Sequence, residues 1–370
     1  MTAVMPYTEY AEIADAARSL LGARSPMSAV RASLADRTGY DHDLWQAVSE
    51  MGLVGLAVPE RFGGGGAGMS ALGGVLEQMG RSLPRIPFFA TAGLAVPALL
   101  AADGPAAEDL LARICADGLT ASLATVEPHR GWAAADIATR ADRHAGGYRL
   151  TGTKTYVVDG ADVDVLLVSA LLDGSPRLFA VTREAAGVRS EPLEALDLTR
   201  PLALVSLDDA EAVLLGAPAT ARDALDSALL TSRVALAFEQ VGGALRCVEM
   251  AVDYARVRDQ FGRKIGSFQA IKHLCADMYA AAQMAQATAN HAATTIDAAA
   301  GFAPRAANLA KVVASESFLF VAAQNIQVHG GMGFTWEHDA HLFFRRARWS
   351  ALYLGSPAEC KRELGAQLGV

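Results

Sequence analysis

Two short strings hold the residue types that grip a phosphorylated ligand. The first runs Arg258-Asp259-Gln260-Phe261-Gly262-Arg263-Lys264-Ile265-Gly266-Ser267-Phe268-Gln269, and the second Gln327-Val328-His329-Gly330-Gly331-Met332-Gly333-Phe334. A guanidinium suits a pyrophosphate because it offers a fixed fork of donors to paired oxygens. Glycine at 330 and 331 lets backbone approach such a ligand where a Cβ would stand in the way. An isolated Arg258 would by default be a solvated helix charge. Gly63-Gly64-Gly65-Gly66-Ala67-Gly68 also meets the GxGxxG spacing of a dinucleotide turn and precedes a helical pattern. Pro59-Glu60-Arg61-Phe62 breaks any strand feeding that turn, and no acidic residue follows about 20 positions later for a ribose hydroxyl. The glycine run is therefore expected to be a flexible loop between two helices.

The elements that must carry these residues follow from apolar periodicity. From Tyr7 to about Gly118 apolar residues recur at three and four positions, as in Leu44-Trp45-Val48-Met51 and Met69-Leu72-Val75-Leu76-Met79, which predicts helices. Between about Leu119 and Gly216 the texture changes to short β-branched runs between turn residues, as in Val163-Asp164-Val165-Leu166-Leu167-Val168. Helical periodicity then returns over Ser227 to Arg256, Phe268 to Ala300 and Arg305 to Val328, which fits a four-helix bundle. The expected domains are an all-α unit at 1–118, a β unit at 119–217 and a helical bundle at 218–370.

A 370-residue chain that is 52% hydrophobic can build such cores. Net charge −8 and the lack of a Lys/Arg run argue against nucleic acid as the main partner. Cys115, Cys247, Cys275 and Cys360 are widely spaced with no CxxC, so neither a disulfide framework nor a zinc knuckle is expected, and a reducing cytoplasm is. The apolar stretch from Ile86 to Ala102 carries Pro87 and Pro97 and is only marginally long enough to span a bilayer, so a buried helix and no membrane insertion are expected.

Together the two strings resemble the signature of the FAD-dependent acyl-CoA dehydrogenases, and the resemblance runs nearly end to end. It takes in Gly52-Leu53-Val54-Gly55-Leu56-Ala57-Val58-Pro59-Glu60-Arg61-Phe62-Gly63-Gly64 and Gly152-Thr153-Lys154. It implies an α+β fold with an N-terminal helical domain, a middle β-barrel or sandwich and a C-terminal four-helix bundle. It also implies that Arg258, Phe261, Gln269, Gln327, Gly330 and Gly331 contact FAD, and that Ser232 and Arg233 lie at an acyl-CoA substrate. Glu337, His338, Asp339 and His341 have the composition of a metal site, with His338 and His341 on one helical face. The resemblance makes them part of the loop and helix after the glycine turn, where no metal is used.

The resemblance fails at the chemistry. Desaturation of a thioester needs a carboxylate at the α-carbon opposite the flavin at the β-carbon. The base of this family sits in a Tyr-Glu-Gly-Thr that falls here on Tyr353-Leu354-Gly355-Ser356, or on the helix position of Ser232. Glu239, seven residues after Ser232, would be a remaining base candidate, although it lies about 10 Å further along the helix at 1.5 Å per residue. Val126 and Val158 stand where the family has flavin-facing threonines, and Trp132 replaces a small residue of its Gly-Ala-Gly-Ser-Asp segment. What a chain uses on its own flavin has diverged, whereas what it supplies to a neighbour's ADP moiety is intact. That pattern resembles the actinobacterial steroid-degradation dehydrogenases, which form α2β2 heterotetramers, and it implies a homologous partner subunit and an electron-transfer flavoprotein or similar acceptor. A self-sufficient homo-oligomer with a non-standard base, and a non-catalytic acyl-CoA-binding scaffold, are the alternatives.

Overall fold

The structure, a computed structural model, describes residues 10–35, 39–216 and 221–369. The helical pattern expected at residues 7–9 and the expected boundary at 217/218 lie outside the described residues.

The N-terminal third forms α1 (Ala11–Arg24), α2 (Met27–Ser33), α3 (His42–Glu50), α4 (Gly68–Ser82), α5 (Val96–Ala102) and α6 (Pro105–Asp117). Asp41 starts α3 by accepting the Leu44 N–H at 2.9 Å, which satisfies one orphan donor of the first turn. Phe89–Ala95 winds as a π-helix into α5, and all seven residues are buried. The glycine run is not a flexible loop. Its backbone is tied to the preceding turn through Gly65 N–H to Gly55 O, Gly66 N–H to Val58 O and Ala67 N–H to Leu56 O, at 2.8 to 3.0 Å. At the N-terminus of α4 the Asp297 carboxylate accepts from Met69 N, Ser70 N and Ser70 Oγ at 2.6 to 2.9 Å. An anion of the protein's own already sits where a dinucleotide phosphate would bind.

The middle of the chain supplies β1 (Ala121–Ala124), β2 (Arg140–His144), β3 (Gly147–Val158), β4 (Val165–Leu172), β5 (Ser175–Thr182), β6 (Val188–Pro192) and β7 (Leu202–Leu215). Pairing runs β4-β2-β3-β7-β5 and returns to β4, so five strands close a barrel; β1 joins β4 in parallel and β6 joins β7. Leu150, Leu166, Val168, Phe179 and Val205 fill it. Lys154 is fully buried in this domain, and its Nζ donates to Glu127 Oε1 at 2.7 Å, Ser169 Oγ at 3.1 Å and Thr125 O at 3.2 Å. Burial pulls the Lys154 ammonium down to about 8 against the opposing pull of Glu127. Glu127 also accepts the N–H groups of Ala138 and Thr139, so the loop between them is pinned at both ends.

The C-terminal part holds α7 (Ala221–Val257), α8 (Gln269–Asp297), α9 (Ala303–His329), α10 (Ala340–Leu352) and α11 (Pro357–Leu368). A two-strand hairpin, β8 (Asp259–Gln260) and β9 (Arg263–Lys264), follows α7. The middle of α7, from Val234 to Ala244, is buried on every side, as expected for a helix apolar all round. It meets α4 backbone to backbone: a Cβ on Gly80 would lie 1.9 Å from Glu239 O, and one on Gly242 1.8 Å from Glu77 O. The close contact fixes the depth of α7, and with it Ser232, Arg233 and Glu239, against the N-terminal helices. By length and composition Ala303–Phe334 could cross a membrane, yet 67% of its apolar window is buried in the bundle.

Candidate functional site

The turn after α10 is where the expected base is missing. Leu354 is buried at 1% exposure with φ 61°, and Gly355 follows at φ 101°. Leucine in the left-handed region is strained by about 1 kcal/mol, so the turn has kept a backbone that its side chain does not favour. Two buried cations hold it. Arg233 Nε donates to Leu354 O at 2.8 Å, and Lys311 Nζ donates to the Ser350 and Ala351 carbonyls at 2.9 and 3.1 Å. Burial lowers the Lys311 ammonium to about 7.

Aromatic side chains fill the space around this turn. Tyr353 lies 4.8 Å from Trp132 edge-to-face, stacks on Trp349 at 4.8 Å and meets Phe89 at 6.3 Å. Tyr353 is 5% exposed, and burial drives its phenol upward. Beneath the rings lies a buried ionic cluster. Glu239 binds both Arg200 and Arg346, Arg346 also binds Asp197, and the Arg200 guanidinium lies 5.0 Å over Phe89 and 5.2 Å over Trp349. Asp159 is enclosed close by with no hydrogen bond to its Oδ2; burial, opposed by the charge of Arg200, raises it to about 7.

Three of the expected site residues lie in this geometry. Glu239 is a buried, ion-paired carboxylate: its Oε1 accepts from Arg200 and Arg346, and its Oε2 has no hydrogen-bond partner. Arg233 does not face a substrate: its donors go to Leu354 O, to Asn308 Oδ1 at 2.5 Å and to Glu363 at 2.5 and 3.0 Å. Ser232 is fully buried and its Oγ has no partner. Val126 and Val158 are buried as well, and Trp132, half-buried, closes the side that faces the barrel.

The opposite end of the bundle is open. Arg258 is exposed at the end of α7, Phe261 is 91% exposed, and Gln269, Gln327, Gly330 and Gly331 are exposed too. Phe261 and Gly262 form the hairpin tip at φ 54° and 78°. The Phe261 ring meets Phe268 edge-to-face at 6.1 Å and is otherwise in solvent, a small packing return for a large residue at positive φ. Gly331 is not required by packing or backbone, since a Cβ there would meet nothing within 4 Å and its φ is not positive. Met332, Phe334 and Trp336 continue the exposed apolar surface at 45%, 80% and 58%. The two strings belong to one end of the bundle, because the Tyr254 ring on α7 stacks on His329 of α9 at 4.4 Å.

Of the residues with a metal-like composition, Asp339 pairs with Arg31 at 3.5 Å, and His338 Nδ1 accepts the Ala340 N–H at 3.1 Å. Among the described residues no group of three His, Cys, Asp or Glu side chains is placed to hold an ion. Arg200, Arg346, Asp197, Asp159 and Phe89 escaped the sequence reading, since no spacing marks partners drawn from the barrel, the π-helix, α7 and α10.

Tested against FAD, the open end fits the dinucleotide: an exposed guanidinium, a glycine turn with empty space above it and an exposed ring. The closed end does not fit an isoalloxazine, because Trp132, Tyr353 and Leu354 occupy that side of the turn.

The chain resembles known proteins over nearly its whole length. The family profile for the acyl-CoA dehydrogenase N-terminal domain matches residues 8–115, and that for the C-terminal domain matches residues 222–367. Acyl-CoA dehydrogenase IpdE2 of Mycobacterium tuberculosis is 35% identical over 367 residues, 98% of each chain. The solved Tcur3481-Tcur3483 steroid ACAD matches with a TM-score of 0.89 at 29% identity over 98% of each chain. The ChsE4-ChsE5 complex from Mycobacterium tuberculosis matches with a TM-score of 0.89 at 26% identity over 99% of each chain.

Proposed function

Because this chain belongs to the acyl-CoA dehydrogenase family, FAD-dependent oxidoreductases acting on CH–CH bonds, we propose that it works as one subunit of a heteromer. It supplies the ADP-binding half of a FAD site to a homologous partner that carries the base. The observation that carries this reading is the contrast between the two ends: at the turn that would carry the base Leu354 is buried beside Tyr353 and Trp132, while the dinucleotide end is exposed and has the chemistry to bind.

In that assembly the flavin, when bound, takes a hydride from the β-carbon of an acyl-CoA thioester. This chain's part is to bind and orient. Arg258 pairs with the pyrophosphate, Phe261 packs on the cofactor, and Gln327, Gln269 and the backbone at Gly330 and Gly331 take the adenosine side. Leu354 leaves no carboxylate to remove the α-proton, so that step falls to the partner. A steroid side-chain thioester is the substrate favoured by the likeness to a steroid dehydrogenase. An electron-transfer flavoprotein or similar acceptor and a cytoplasmic site complete the proposal.

The test compares the purified chain alone with the chain co-expressed with a dehydrogenase gene from its own neighbourhood. Alone, it should be colourless and inactive on thioesters of varied bulk, and Leu354→Glu should not restore turnover because the space is filled. Co-expression should give a yellow, active complex. Turnover by the chain alone, lost in Glu239→Gln, would establish a self-sufficient enzyme instead. Absence of colour with every partner would leave a scaffold.

A further inference from the structure

Arg258 and the glycine turn lie on different elements, the end of α7 and the end of α9, and a ligand can use both only if their separation is fixed. Three rings provide that link. Tyr254 stacks on one side of His329 at 4.4 Å and 28°, and His338 meets the same imidazole at 4.3 Å and 48°. Each ring is fastened to a piece of the open end. Arg258 N donates to Tyr254 O at 2.9 Å, so the arginine starts from the residue that carries the first ring. His329 donates Nδ1–H to Asn325 O at 2.8 Å and is followed directly by Gly330 and Gly331. His338 belongs to the segment after the glycine turn, which Asp339 anchors to Arg31 of α2 at 3.5 Å.

We propose that Tyr254, His329 and His338 form a positioning stack that sets the register of Arg258 against Gly330 and Gly331, so that the ADP moiety of one FAD can meet both. The proposal rests on the dinucleotide half-site described above and names residues outside it. None of the three rings needs to touch the cofactor. Their work is to keep two independent chain ends at one spacing, which is where much of the gain from a preorganised site arises. The stack bridges the helix that ends at Arg258 and the helix that ends at the glycine turn, whereas the exposed Phe261 meets Phe268 within its own string.

The experiment uses the full chain and three variants, Tyr254→Ala, Tyr254→Phe and Arg258→Ala. Amide hydrogen exchange is read at residues 258–264 and 330–334, and FAD affinity is read in the co-expressed complex. Tyr254→Ala should speed exchange at the glycine turn on the other helix and weaken FAD about tenfold, the size of a lost aromatic pair. Tyr254→Phe keeps the ring and should restore both, which a role for the phenol hydroxyl would not give. Unchanged exchange at 330–334 in Tyr254→Ala would overturn the stack. So would unchanged FAD affinity in Tyr254→Ala while Arg258→Ala weakens it. If neither variant alters FAD affinity, the half-site itself is wrong and the stack falls with it.

Discussion

The end of α7 and α10 around Leu354 and the end of α7 and α9 around Arg258 have been shaped by opposite demands. At the first, charges are paired inward: Glu239 binds Arg200 and Arg346, Arg346 binds Asp197, and Trp132, Tyr353, Trp349 and Phe89 pack around them, although Glu239 Oε2 and Arg200 Nε keep no hydrogen-bond partner. At the second, a guanidinium, a phenyl ring that meets only the edge of Phe268 among the described residues, and two glycines are held largely in solvent. A chain that had merely lost function would be expected to loosen at the vacated pocket and to lose exposed features that cost strain. Here Leu354 and its aromatic neighbours are buried at the first end, and the exposed hairpin at the second holds Phe261 at positive φ. The proposed division of labour requires that difference: a closed end that serves stability and an open end that serves a ligand.

The sharpest way to break that comparison is at Glu239. Removing its carboxylate by Glu239→Ala leaves Arg200 and Arg346 buried against each other, and breaking a buried pair on one side costs about 3–5 kcal/mol. Chemical denaturation should show a loss of that size. A variant as stable as the parent would mean that the cluster is solvated and the pocket still open.

At the other end Arg258→Ala should leave denaturation within about 0.5 kcal/mol of the parent, as for exposed side chains generally. Its effect should appear only in the complex, as a loss of about 10- to 100-fold in FAD affinity, the range for one charge-assisted contact. FAD affinity indifferent to Arg258 would remove the functional half of the comparison.

How far the sequence foretells these two ends depends on the reach of the interactions. The helical and β textures were legible because they are written in local periodicity, and the two strings were legible because each lies within a dozen residues. The replacement of the base by Leu354 could be read from a count along the chain. Whether the space it left was empty could not, because the residues that fill it come from far apart: Arg346 reaches Asp197 and Glu239 across 149 and 107 residues. The glycine run before α4 looked flexible because its capping carboxylate, Asp297, is supplied from more than 200 residues away.

A smaller effect sharpens the account of the closed end through pH. Asp159 is enclosed there without a hydrogen bond to Oδ2, and burial raises it to about 7, with Arg200, Asp162, Arg346 and Arg85 as the charges that act on it. In the unfolded chain the same carboxyl releases its proton near pH 4. Between those values the folded state binds the proton and the unfolded state does not, so stability falls as pH rises. The contribution of Asp159 is therefore fully present below about pH 4 and lost as pH climbs through 7. Asp159→Asn keeps the shape and cannot ionise, so it should gain on the parent as pH rises. We expect its advantage in unfolding free energy to grow by on the order of 1 kcal/mol from pH 6 to pH 8, about one pKa unit's worth. An advantage that does not change with pH would show that Asp159 is ionised and hydrated in the folded chain, and that water reaches the space beneath Tyr353. That end would then be closed to a flavin by Trp132 and Leu354 alone, and the double variant Trp132→Gly with Leu354→Gly should open it.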